Sequence, residues 1–193
     1  MALWGITDAD EAKPKWLTTA QKKEVFANNS GGVVEAGSTM TGNDNADAQP
    51  EVLCCIGDLA TGIGAADITE IEFITTAFDK SDGGNIDVRV RFNEQVTVNT
   101  SGGTPTLTIT NDTPARNLTA TYLSGSTTNE LIFRKTIAAA NAATNAGDVL
   151  SIGANPLALA SGTIKDTADG STNATITSVA SIGAAAGTIT VAA

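Results

Sequence analysis

In the segment NIDVRVRFN, Ile86, Val88, Val90 and Phe92 alternate strictly with Asp87, Arg89, Arg91 and Asn93. Successive side chains of an extended chain point to opposite faces, so this period of two predicts a strand with one buried and one wet face. The same rhythm surrounds it. Ile71 and Phe73 alternate with Glu70 and Glu72; Val96 and Val98 follow; Leu107 and Ile109 lie between Thr106, Thr108 and Thr110. Further strands are predicted over 118–122, 131–137, 150–152, 175–177 and 188–191. Short, Thr-rich strands punctuated by Gly, Asn, Asp and Ser predict a mainly β fold, an antiparallel Ig-like β-sandwich with Greek-key connections.

Ahead of residue 68 the pattern changes. Thr18 and Gln21 have capping-box spacing, and TTAQKKEVFANN runs into Ser30, Gly31 and Gly32, which predicts a short helix over 18–29. GGVVEAG and PEVLCCIGDLA each read as a short strand, with STMTGNDNADAQ a polar loop between them. The expected organisation is an N-terminal extended arm, residues 1–67, followed by a β body, residues 68–193. One stretch competes with the β reading: AAANAATNAGD (138–148) has helical composition and is expected to form a short helix or a turn. No internal repeat points to a solenoid or propeller.

At 193 residues a globule can bury roughly 70% of its unfolded surface without disulfide or metal staples. Only 4% of residues are aromatic, yet both tryptophans, Trp4 and Trp16, fall in the first sixteen positions. Trp is enriched where one chain grips another, so Trp4, Trp16, Leu17, Val25 and Phe26 are the candidate partner-binding residues. The other reading makes them the core of a small lobe folded on the chain's own body. Charge divides in the same way: in residues 1–30, Asp8, Asp10, Glu11 and Glu24 cancel Lys13, Lys15, Lys22 and Lys23, which leaves the net charge of −10 on the rest. An acidic body repels phosphate backbones and anionic lipid, so no direct nucleic-acid or membrane partner is expected.

Catalytic groups are sparse. The chain has no His and one Tyr, which removes the common triads and dyads, and GDLATGIGAAD lacks the Lys and spacing of a phosphate loop. Cys54 and Cys55 are neighbours, too close for an unstrained mutual bridge, and read as small buried apolar residues. Asp148, Asn155, Asp166 and Asp169 have oxygens that suit calcium, but Asp and Asn serve turns in their own right. The expectation is therefore no enzyme, no cofactor and no metal. The opening MALWGITDADEAKPKW lacks the basic and then apolar pattern of a signal peptide, and no run approaches a membrane span of ~18 apolar residues. Synthesis in a cytoplasm and release within an assembled particle would fit both observations.

Two resemblances sharpen this picture. IDVRVRFNEQVTV, GTPTLTIT, LTATYLSGSTTNELIFRKTI and LSIGANPLALASGTIKD resemble the immunoglobulin-like domain of bacterial and phage surface proteins. Phe92, Glu94 and Val96 match a Phe-x-Glu-x-Val strand end; Gly103, Pro105, Thr106 and Leu107 match a strand start; Gly162, Thr163, Ile164, Lys165 and Asp166 match a late turn. The leading DEAKPKWLTTAQKKEVFANNSGGVVEAGS with PEVLCCIGDLA is similar to the front of small structural proteins of tailed marine cyanobacterial phages. That resemblance implies a virion component on the outer capsid surface, a decoration or cement protein bound to the major capsid protein and self-associating there. The alternative it leaves open is a tail, neck or fibre component whose Ig-like domain contacts host glycans. DTADGS at 166–171 replaces the usual Asp-x-x-Gly-Asn ending.

Overall fold

The computed structural model describes residues 13, 14, 16–38, 40–42, 45 and 47–193. The arm contributes β1 (Val25–Asn28), β2 (Gly31–Val34) and β3 (Glu51–Cys55), then a short helix α1 (Leu59–Ile63). The body follows with β4 (Ile68–Phe73), β5 (Phe78–Asp79), β6 (Gly84–Asn99), β7 (Thr106–Asn111), β8 (Leu118–Ser124) and β9 (Thr128–Ile137). It ends with β10 (Val149–Ser151), β11 (Leu157–Ala158), β12 (Thr163–Asp166), α2 (Ala180–Ala184) and β13 (Ile189–Ala192).

The protein is mainly β, and one mixed, connected sheet in the order β3-β2-β1-β6-β9-β8-β7-β10-β13-β5 carries the chain. Its spine is β6, 16 residues long. One side of β6 pairs antiparallel with β9, from Gly84↔Ile137 to Arg91↔Glu130. Its middle also pairs with β4 and its C-terminal end with β12. The strictly antiparallel expectation is corrected at two places, because β1 meets β6 in parallel at Ala27↔Glu94 and β13 meets β5 in parallel. Neither junction is a hairpin, so local pattern could not dictate its direction.

The alternation in β6 does what its period requires. Ile86, Val88, Val90 and Val96 have no exposed surface and Phe92 has almost none. They join Ile71, Leu107, Ile109, Leu131, Phe133 and Leu150 in a single apolar cluster. Tyr122 meets Phe133 edge-to-face with centroids 6.1 Å apart, a favoured aromatic geometry. Removing a buried Phe from such a cluster costs about 3–5 kcal/mol.

The helix expected over 18–29 is replaced by one 3-10 turn, Gln21–Glu24, and then a strand. The capping contacts do form: the Thr18 amide donates to Gln21 Oε1 at 3.0 Å and the Gln21 amide to Thr18 Oγ1 at 3.3 Å. The helix goes no further because Val25 and Phe26 pair with Val34 and Val33 across the Asn29–Ser30 turn, and a β-branched and an aromatic residue suit that pleated, covered position better. Gly31 makes the neighbouring strand possible. It has φ +135°, and a Cβ there would lie 1.9 Å from the Cys54 carbonyl oxygen.

Residues 138–148 form turns and no helix. Asn141 Oδ1 takes the Ala143 amide and Asp148 Oδ2 takes the Asn145 amide, both at 2.8 Å, so side-chain acceptors capture amides that a helix would need. The strand expected over 175–177 reduces to one isolated bridge, Thr175 to Asp67. Helix α2 was not anticipated. Gly183 lets it approach the body, since a Cβ there would lie 2.6 Å from the Ile152 carbonyl oxygen.

Candidate functional site

Alternation predicts that Asp87, Arg89, Arg91 and Asn93 face water. Only the first half of that face keeps partial exposure, with Arg89 paired to Glu72 and Asp87 to Arg134. Arg91 and Asn93 are covered, 7% and 4% exposed, and over Arg91 the cover includes the arm: β1 lies beside β6, and Glu35, directly after β2, reaches the guanidinium.

Arg91 is the centre of this seam. Its Nε lies 2.6 Å from Glu130 Oε1 and 3.2 Å from Glu35 Oε1, and its Nη1 lies 2.7 Å from Glu70 Oε2 and 3.3 Å from Glu72 Oε1. Lys23 of the arm holds the other Glu70 oxygen. Arg89 binds Glu72 through Nε at 2.6 Å, and Asn129 Nδ2 donates to Glu35 Oε1 at 2.8 Å. The arm thus contributes Lys23 and Glu35, and the body contributes the charges that face them. Arg can satisfy several carboxylates at once because its planar fork presents five donors.

Burial leaves its mark on these groups. Glu35 is pushed up to about 7, first by burial and then by the Glu130 carboxylate, against the pull of Arg91. Burial also works to raise Glu70, but hydrogen bonds from Lys23 and Arg91 outweigh it and hold Glu70 below the usual range. Lys13 goes down to about 8 because burial opposes its charge more than Glu70 and Glu35 support it. Glu35 and Glu130, with Glu70, outweigh the burial of Arg91 and hold its guanidinium charged above its ordinary value.

The five candidate partner-binding residues separate. Val25 and Phe26 are 1% and 2% exposed, tied into the β1–β2 hairpin, which removes them from any accessible docking face in this conformation. Leu17 is half-buried, Trp16 is 69% exposed, and Trp4 lies outside the described residues. A further outward feature was not anticipated. Strand β3 ends the sheet order, so among the described residues its outer edge pairs with no strand, and Val52 on it is 46% exposed. Unpaired edges of this kind accept strands from other chains. Cys54 and Cys55 sit on this strand as free thiols, half-buried and exposed respectively, which corrects the expected burial of both: strand side chains point to the faces of the sheet, and neither cysteine joins an apolar cluster there.

The oxygens considered for calcium serve different local structures. Asp148 accepts from Asn111 Nδ2 at 2.8 Å and Thr113 Oγ1 at 2.7 Å, Asn155 accepts the Ser178 amide, and Asp169 accepts the Ser171 and Thr172 amides. Asp166 accepts the Ala168 amide at 2.6 Å, and its carboxyl is raised chiefly by burial. Among the described residues no three His, Cys, Asp or Glu side chains converge as metal ligands, and no helix is long and apolar enough to cross a membrane. No family model, curated protein or solved structure matches the chain.

Proposed function

We propose that the protein is a virion structural component, a capsid decoration or cement protein held on the outer surface of the major capsid shell. The carrying observation is the division of the arm into two sides. Its inner side is fixed to the body through Arg91, Glu35, Glu70 and Lys23, while Trp16 and the open β3 edge remain outward. A rigidly seated arm loses little entropy on docking, and many copies on a symmetric shell turn modest single contacts into firm retention. We read the body as an Ig-like Greek-key sandwich; the antiparallel run β6-β9-β8-β7 around a single apolar cluster supports that reading.

Cosedimentation with particles tests the assignment. Trp16→Ser combined with Val52→Lys changes only exposed side chains, so the expected result is unchanged melting and at least a tenfold loss of retention. Full retention overturns the outward face as the anchor. The glycan-binding reading of a tail or fibre component draws on the same exposed Trp16, since aromatic faces stack on sugars. Glycan binding that Trp16→Ser abolishes, in a chain that particles do not retain, would select it.

A further inference from the structure

A cleft of about 310 Å³ opens between the arm, β4 and α2. Its charged lining is Lys13, Lys22 and Lys23 with Glu70, so three of the chain's 11 Lys and Arg residues converge here in a protein of net charge −10. Both Glu70 oxygens are engaged, one by Lys23 and the other by Arg91. Among the described residues no carboxylate is engaged by the amine of Lys22, and Lys13 has only the electrostatic support of Glu70 and Glu35, which does not offset its burial. Ile182 and Ala185 form an apolar wall beside Ser181.

We propose that this cleft receives an acidic side chain, Asp or Glu beside an aliphatic residue, presented by a segment of the partner protein. It rests on the docking reading only in taking that partner to be a shell subunit. The volume stands at the low end of ligand pockets, which span about 300–1,000 Å³, and suits one or two side chains better than a nucleic-acid strand. Charge complementarity selects the acid, and the apolar wall selects its neighbour. The surrounding negative charge of the body disfavours a polyanion but leaves a single carboxylate free to approach the lysines. Lys13 is the group most changed by occupancy, because an arriving carboxylate adds to the support that Glu70 and Glu35 give against burial and raises its pKa from about 8. Binding at pH 8 therefore takes up protons.

The test uses the full purified chain, without particles, titrated with the blocked tripeptide Ac-Leu-Asp-Ala-NH2, its Asn counterpart, sodium phosphate and an eight-thymidine oligonucleotide. Calorimetry in two buffers of different ionisation enthalpy reads proton uptake, and amide shifts read the location. The expected result is that the Asp peptide shifts the amides of Lys22, Thr69 and Ile182, and that the Asn peptide binds about tenfold more weakly, the usual worth of a hydrogen bond to a charged group. Lys13→Gln abolishes the proton uptake, and Lys22→Gln, a change at a half-exposed position, weakens binding about tenfold. Lys135→Gln, remote from the cleft, changes nothing. Equal binding of the Asp and Asn peptides overturns the proposal, as does tighter binding of phosphate or oligonucleotide, or indifference to Lys22→Gln. With no particle in the experiment, failure here leaves retention through Trp16 and β3 standing, and failure of particle retention leaves the cleft standing.

Discussion

The two faces of β6 solve the same problem with opposite chemistry. On one face Ile86, Val88, Val90, Phe92 and Val96 are buried against apolar neighbours; on the other, Arg91 and Asn93 are buried as well, with Arg91 held from the arm by Glu35. The apolar face tolerates many partners of similar size, because dispersion and water exclusion have no direction. The charged face accepts only an arm that brings Lys23 and Glu35 to the right places. Burying ions repays little net stability but punishes mismatch heavily, so the first face supplies cohesion and the second supplies register.

That contrast can be broken most forcefully from the apolar side. Phe133→Ala should cost about 3–5 kcal/mol and lower the midpoint of chemical unfolding for arm and body together. Arg91→Ala should cost about 3 kcal/mol, the toll of leaving buried carboxylates unmatched, but with a different signature: hydrogen exchange should accelerate in β1 and β2 while β7, β8 and β9 keep their protection. If both variants melt the whole chain alike, the two faces are not distinct in role.

pH sharpens the comparison more gently, since the apolar face does not titrate. Glu35, raised to about 7 in the docked state, favours docking fully below its ordinary value of about 4.5 and loses that contribution as pH rises through 7. Glu70 is held low, so its contribution is present above about 4.5 and lost as pH falls through its depressed value. Protection of β1 and β2 should therefore peak near pH 5 and decline toward pH 8, and Glu35→Gln should flatten the decline. The smallest effect is expected from Arg134→Ala. Its bidentate pair with Asp87, at 2.7 and 2.6 Å, lies on the uncovered part of the polar face, where water screens it, and the unfolding midpoint should not move measurably.

The sequence makes β6 legible because its alternation is strict, and the strands whose pattern is equally regular, such as β7 and β9, follow from it. Glu70 and Glu72 were visible as the polar half of their own strand, and opposite charges on adjacent strands are a recognisable pair signal. What alternation cannot say is that Glu35, 56 residues away in the chain, covers part of this face. Glu35 therefore read only as part of the short strand GGVVEAG, and Arg91 as a solvated residue. Similarly, Thr18 and Gln21 made their capping contacts, but the choice between helix and hairpin lay in Val25 and Phe26 finding Val34 and Val33. The NNSGG turn that permits this was in plain view. Trp16 was singled out by rarity alone, whereas the open edge at β3 depends on sheet order, which no local pattern encodes.

Hydrogen exchange of the protein free and bound to capsid shells bears on the role of the arm most directly. The expected result is new protection confined to residues 16–24 and to β3, with β1 and β2 already protected in the free protein. New protection on β7, β10 or β5 with none on the arm would contradict it.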